Sequence, residues 1–154
     1  MSTINKLIAK LIKKKLTIST AESCTGGLIA YSIIKNSGVS KIFTGSIICY
    51  SNSAKIKYLS VSKKTLSKYG AVSMNVANEM IDGLYKNEKT QICVSTTGVA
   101  GPNGGTKYKP VGLVYVGIKI KKKKYIFKKI YKGTRLQIQN KTKNLIFKKI
   151  NQLI

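Results

Sequence analysis

Apolar residues in this chain change period as the sequence proceeds, from every third or fourth position to every second and back, and this restricts the fold more than any other feature. Ile4, Leu7, Ile8, Leu11 and Ile12 form one helical stripe. Leu16-Thr17-Ile18-Ser19-Thr20 then alternates as a strand, and Ala21 to Gly27 reads as a turn of small and polar residues. Leu28, Ile29, Tyr31, Ser32 and Ile33 predict a helix that Asn36-Ser37-Gly38 ends. Ile42 to Tyr50 is rich in β-branched residues and predicts a second strand; a short polar helix from about Ser53 to Leu59 and a turn or helix from Thr65 to Tyr69 follow it. Ser73 suits the N-cap of a helix carrying Val76, Ala77, Met80, Ile81 and Leu84 on one face. Gln91 to Thr96 predicts a third strand, Thr97 to Pro110 a long loop, and Val111 to Lys119 with Lys124 to Tyr131 a hairpin. Thr134 to Ile154 reads as a final helix. Helices alternating with strands, plus a hairpin, predict an α/β fold whose mixed sheet has helices on both faces.

The length of 154 residues and the 43% hydrophobic content suit one domain, residues 1–154, with one packed core. The longest apolar runs, such as Val111 to Ile118, fall short of the roughly 18 residues of a spanning helix. The N-terminus lacks the apolar block and cleavage site of a signal peptide, so a cytoplasmic location is expected. Cys24, Cys49 and Cys93 are far apart, and the chain has no histidine. Neither a zinc site nor a disulfide scaffold is expected, and the cysteines read as small buried residues. No cofactor is expected either.

The net charge of +25 suggests nucleic acid as a partner. Yet of the 29 basic residues all but Arg135 are lysine, whereas base readout and phosphate forks favour arginine. Lysines spread through the chain, with Ile, Asn, Ser and Tyr also abundant, read as drift toward adenine- and thymine-rich codons. The run Lys121 to Lys124 reads as a turn between two strands. A solvated lysine surface is the favoured reading and a nucleic-acid face the alternative.

Exclusion narrows the chemistry. Without histidine no Ser-His-Asp triad is possible. The acids are only Glu22, Glu79, Asp82 and Glu88, and the last three fall on or just after one surface helix. Hydroxyls, lysines and backbone amides must therefore carry any catalysis. Two loops stand out. Thr20-Ala21-Glu22-Ser23-Cys24-Thr25-Gly26-Gly27 lies between a strand and a helix, where free amides and the helix dipole stabilise anions. Ser23 or Thr25 also suits plain helix capping there, and local sequence alone favours that reading. Thr97-Gly98-Val99-Ala100-Gly101-Pro102-Asn103-Gly104-Gly105 leaves a strand's carboxyl end, the usual ligand position in such sheets, but lacks the ending of a Walker loop. Tyr50 falls at a strand end and Lys55 one turn into the next element.

In combination these blocks are more specific. Ala21 to Gly27, Tyr50-Ser51-Asn52 with Lys55, Gly70-Ala71-Val72-Ser73, Thr97 to Gly105, and Lys109-Pro110-Val111-Gly112 follow one another in order. In this the chain resembles the CinA C-terminal, or nicotinamide-nucleotide deamidase, family from about Leu16 to Val116, with a weaker echo at Gly133-Thr134-Arg135. It departs from the pattern at Gly45-Ser46, where relatives often have two glycines, and beyond Gly117. The resemblance implies a three-layer α/β/α sandwich with a mixed sheet of about five strands. It implies deamidation of nicotinamide mononucleotide by a stand-alone form of the domain, acting on a small nucleotide without membrane or nucleic acid, and leaves a homo-oligomer open. It also implies a serine–lysine amidase site: Ser23 as nucleophile, Lys55 as general base and Tyr50 nearby as relay or orienting group. Thr97 is expected to add a hydroxyl donor. The amides around Thr25 and Gly26, with Gly27, are expected at the oxyanion. Gly45, Ser46, Gly98, Gly101, Gly104, Gly105 and Arg135 are the expected substrate contacts, the nest from Gly101 to Gly105 and Arg135 serving the phosphate.

Overall fold

A computed structural model describes residues 1–154. Ser2 starts the chain's first helix, its hydroxyl accepting from the Asn5 amide, and α1 runs Thr3–Lys14 with Leu7, Ile8 and Leu11 buried. Strand β1 is Ile18–Glu22, all five residues buried. The expected strand is thus displaced toward the carboxyl end: Ala21 and Glu22 pair with neighbours on both sides instead of turning. The turn proper is Ser23 to Gly27, where Gly26 and Gly27 have φ of 56° and 101°. Helix α2 is Leu28–Ile34, and the Asn36 side chain closes it by donating to the Ser32 and Ile33 carbonyls. A 3-10 turn at Val39–Lys41 leads into β2, Phe43–Ile48.

Two short helices come next, α3 at Asn52–Leu59 and α4 at Lys63–Tyr69, each capped by a serine hydroxyl, Ser51 and Ser62. Ser73 caps α5, Met74–Glu88. Strand β3, Ile92–Gly98, runs two residues further than the alternation suggested. The hairpin is β4, Leu113–Ile120, and β5, Lys123–Ile130. Only Lys121 and Lys122 make its turn; Lys123 and Lys124 are strand residues opposite Ile120 and Lys119. Helix α6, Arg135–Leu153, begins at a capping box in which Thr134 and Gln137 satisfy one another's amides.

The sheet order is β2-β1-β3-β4-β5, parallel across the first three strands and antiparallel thereafter. Helices α1, α2 and α6 bury Leu7, Leu11, Ile29, Ile33, Ile146 and Ile150 against one face. Helix α5 buries Val76, Met80, Ile81 and Leu84 against the other, with Leu59 of α3. This is the expected three-layer α/β/α sandwich. No helix is long and apolar enough to cross a membrane.

The topology sets the site. The chain leaves β1 over one face through α2 and returns to β3 over the other through α5, so it reverses direction between β1 and β3. Ligands in open α/β sheets bind at such a reversal, beyond the carboxyl ends of the strands. In the register, Glu22 lies beside Ile48 on one side and Thr96 on the other. The residues that follow, Ser23, Cys49-Tyr50 and Thr97, therefore emerge together at one edge.

Candidate active site

Ser23 is fixed by main-chain geometry. Its amide donates to the Thr96 carbonyl at 3.1 Å, which stops β1 and directs the next residues out of the sheet. Lys55 arrives from α3. Its Nζ lies 2.9 Å from Ser23 Oγ, 3.0 Å from the Cys49 carbonyl and 3.3 Å from the Tyr50 carbonyl. The lysine is only 1% exposed and forms no ion pair, since the chain's one salt bridge joins Lys124 and Asp82. Burial pushes the ammonium below its ordinary pKa of 10.5. Ionised thiolates at Cys49 and Cys24 would oppose that, but burial pushes the two thiols up to about 11 and about 12, so both stay neutral near pH 7. A neutral amine has two N–H donors and one lone pair. Here two carbonyls can take the donors and the lone pair faces the serine hydroxyl, the arrangement an activated nucleophile needs.

A cavity of about 320 Å³ opens beside the pair. Ser23, Cys24, Tyr50, Asn52, Lys55, Ala71, Val72, Thr97 to Gly101, Asn103, Gly104 and Arg135 line it. A larger groove of about 790 Å³ lies elsewhere, among Lys14, Leu16, the β4–β5 hairpin end and the end of α6. Its lining offers lysines, apolar side chains and the Tyr125 phenol, but no serine, threonine or cysteine and no buried base.

The cavity gathers Ser23, Lys55, Tyr50, Thr97, Gly98, Gly101, Gly104 and Arg135 of the residues singled out in sequence. Several are hydrogen-bonded to one another or to the surrounding fold. The Tyr50 phenol accepts from Arg135 at 2.9 Å, so this residue meets Lys55 through its carbonyl instead of its hydroxyl. The Thr97 hydroxyl donates to the Ala71 carbonyl at 2.8 Å and is already spent. Arg135 also donates to the Gly101 carbonyl at 2.7 Å, and so ties α6, the glycine loop and the β2–α3 corner together.

The remaining candidates lie off the cavity. The Thr25 hydroxyl is buried between Glu22 and Thr96. The Gly26 amide closes the turn onto the Ser23 carbonyl at 3.1 Å. Gly27 lies against Ile48, and Gly105 against Val111. Gly45 neighbours Glu88, and Ser46 accepts from the Thr20 hydroxyl at 2.6 Å, both within β2. The first turn of α2 is no anion site, because Glu22 takes the Ile29 and Ala30 amides, each at 2.9 Å.

Unpaired main-chain amides remain in both loops. The amides of Cys24 and Thr25, directly after the serine, take no part in backbone pairing. The same holds for Ala100, Gly101, Asn103 and Gly104 in the glycine loop, where Gly101 and Gly104 have φ of 80° and 87°. Asn52, Ala71 and Val72 complete the wall. Ala71-Val72 was visible as part of an ordered block, but nothing in its composition marked it as a wall.

The sequence model of the CinA C-terminal domain matches residues 1–154. A CinA-like protein of Fusobacterium nucleatum is 58% identical over 129 residues, 84% of this chain and 31% of that protein. A putative competence-damage inducible protein of Clostridium botulinum is 50% identical over 142 residues, 92% of this chain and 35% of that protein. The chain thus spans about a third of the length of these curated relatives. Among solved structures, the competence/damage inducible protein CihA of Agrobacterium tumefaciens superposes with a TM-score of 0.92 at 33% identity, over 99% of this chain and 96% of that one. The CinA superfamily protein ECK1530/EC0983 of Escherichia coli gives 0.93 at 30% identity, over 99% and 91%. The chain belongs to the CinA C-terminal domain family.

Proposed function

We propose that this chain is an amidohydrolase that converts nicotinamide mononucleotide to nicotinic acid mononucleotide and ammonia. The observation that carries the reading is the buried Ser23–Lys55 contact of 2.9 Å at the wall of a ligand-sized cavity. In this reading neutral Lys55 takes the Ser23 proton as Oγ attacks the carboxamide carbon. The tetrahedral oxyanion is met by the Cys24 and Thr25 amides. Lys55 returns the proton to the departing nitrogen, which leaves as ammonia. Water, deprotonated by the same amine, then cleaves the acyl-enzyme and restores Ser23. The phosphate rests on the unpaired amides of the Ala100–Gly104 loop, a nest of the kind that binds anions.

The test is incubation of the purified chain with nicotinamide mononucleotide, no metal added, with ammonia and the acid product measured. Ser23→Ala and Lys55→Met should each lower kcat by at least about a thousandfold, the scale for members of a nucleophile–base unit. Either variant releasing ammonia at the wild-type rate rejects the assignment.

A further inference from the structure

Glu22 is completely buried, does not line the cavity, and the reaction above gives it no part. Both its oxygens are held by donors. Oε1 accepts from the Thr25 hydroxyl at 2.7 Å and the Ile29 amide at 2.9 Å. Oε2 accepts from the Ala30 amide at 2.9 Å and faces the Thr20 hydroxyl at 3.2 Å. A carboxylate only accepts, so the polarity of the neighbouring bonds follows from it. The single Thr25 hydroxyl proton goes to Glu22. In the 2.8 Å contact between Thr25 and Thr96 hydroxyls, Thr96 must then be the donor. Its remaining lone pair faces the Ser23 amide at 3.3 Å.

We infer that Glu22 is a positioning residue for the nucleophile: a directed chain runs from the Ser23 amide through Thr96 and Thr25 to the Glu22 carboxylate, which is anchored on the first turn of α2. This rests on Ser23 being the nucleophile. The chain holds the serine backbone at the end of β1 so that Oγ meets Lys55, while leaving Lys55's own bonds to Cys49 and Tyr50 untouched. Replacing one carboxylate oxygen by an amide NH2 breaks the arrangement in either orientation, because each oxygen faces a main-chain N–H that cannot reverse.

Two variants of the full chain test this, Glu22→Gln and Thr96→Val. The second cuts the relay without touching the bonds between Glu22 and α2. Four quantities are read: kcat and KM for nicotinamide mononucleotide, the acid limb of kcat/KM, the melting temperature, and the labelling rate of Ser23 by a fluorophosphonate. Both variants should lose roughly ten- to a hundredfold in kcat, the scale of small misplacements. Labelling should slow in step, KM should stay within about twofold, and the acid limb should not move. Wild-type kcat and labelling in both variants, whatever their melting temperatures, would reduce Glu22 to a helix cap and overturn the inference. So would an acid limb displaced along with kcat, since Glu22 would then act on the charge of Lys55. If Glu22→Gln does not fold, Thr96→Val decides alone. A wild-type chain that labels at Ser23 yet releases no ammonia rejects the substrate and leaves labelling to judge Glu22. A wild-type Ser23 that does not label overturns both.

Discussion

At the scale of single residues, the consequential fact is a lysine without a counter-ion in a protein that has dozens of solvated ones. Burial lowers the pKa of Lys55 in the folded chain, so between its folded and unfolded values the unfolded chain binds more protons. Stability then rises with pH across that window, which ends at the ordinary 10.5. The wild type should therefore gain melting temperature relative to Lys55→Met as pH rises from neutral toward about 10. The same titration should appear as an acid limb in kcat/KM, activity growing as Lys55 loses its proton below the ordinary lysine range. A melting-temperature difference independent of pH would mean that Lys55 titrates alike in both states. The identities of Ser23 and Lys55 were legible as members of ordered blocks. Their meeting was not, since a separation of 32 positions carries no local signal of proximity. The partners of the Tyr50 and Thr97 hydroxyls, Arg135 and the Ala71 carbonyl, were not legible because tertiary packing sets them.

At the scale of elements, the position of Lys55 depends on how closely two helices pack. Lys55 rides on α3, whose last residue, Leu59, lies against Gly83 of α5. A Cβ at Gly83 would fall 1.9 Å from the Leu59 carbonyl oxygen. Gly83→Ala must therefore push α3 away, at a cost of about 1 to 3 kcal/mol as for other overpacked sites. It should also carry Lys55 off Ser23, so kcat should fall in protein that is still folded. Urea denaturation and ammonia release measured on the same sample check the pair of effects. Full activity in a destabilised variant would show that α3 yields elsewhere along its length. The elements themselves were legible where a periodic stripe stood out, as in α1, or met a capping residue, as in α5 after Ser73. They were misplaced where burial is two-sided. β1 is buried at all five positions, so Ala21 and Glu22 show no alternation and read as turn. Glu22 is hard to recognise for the same reason: a carboxylate among small residues reads as surface until the three donors on it are seen.

At the scale of the molecule, the alternation of helix and strand allowed a mixed sheet but not its strand order, and it is the order β2-β1-β3 that creates the reversal where the site lies. Charge acts at this scale too. A net +25 with a single salt bridge means that the folded chain works against its own repulsion. Added salt screens exposed charges, the Debye length falling from about 10 Å at 0.1 M to about 3 Å at 1 M. The melting temperature should therefore rise as sodium chloride is raised from about 0.05 to about 0.5 M. In the proposed reaction the same field would draw the phosphate-bearing substrate toward the cavity, so kcat/KM should fall over that range. The opposed signs separate this account from a general salt effect on packing, which offers no reason for affinity and stability to part. A melting temperature that stays flat or falls with salt would mean the lysines stand far enough apart to ignore one another, and the charge would then bear on neither folding nor capture of the substrate.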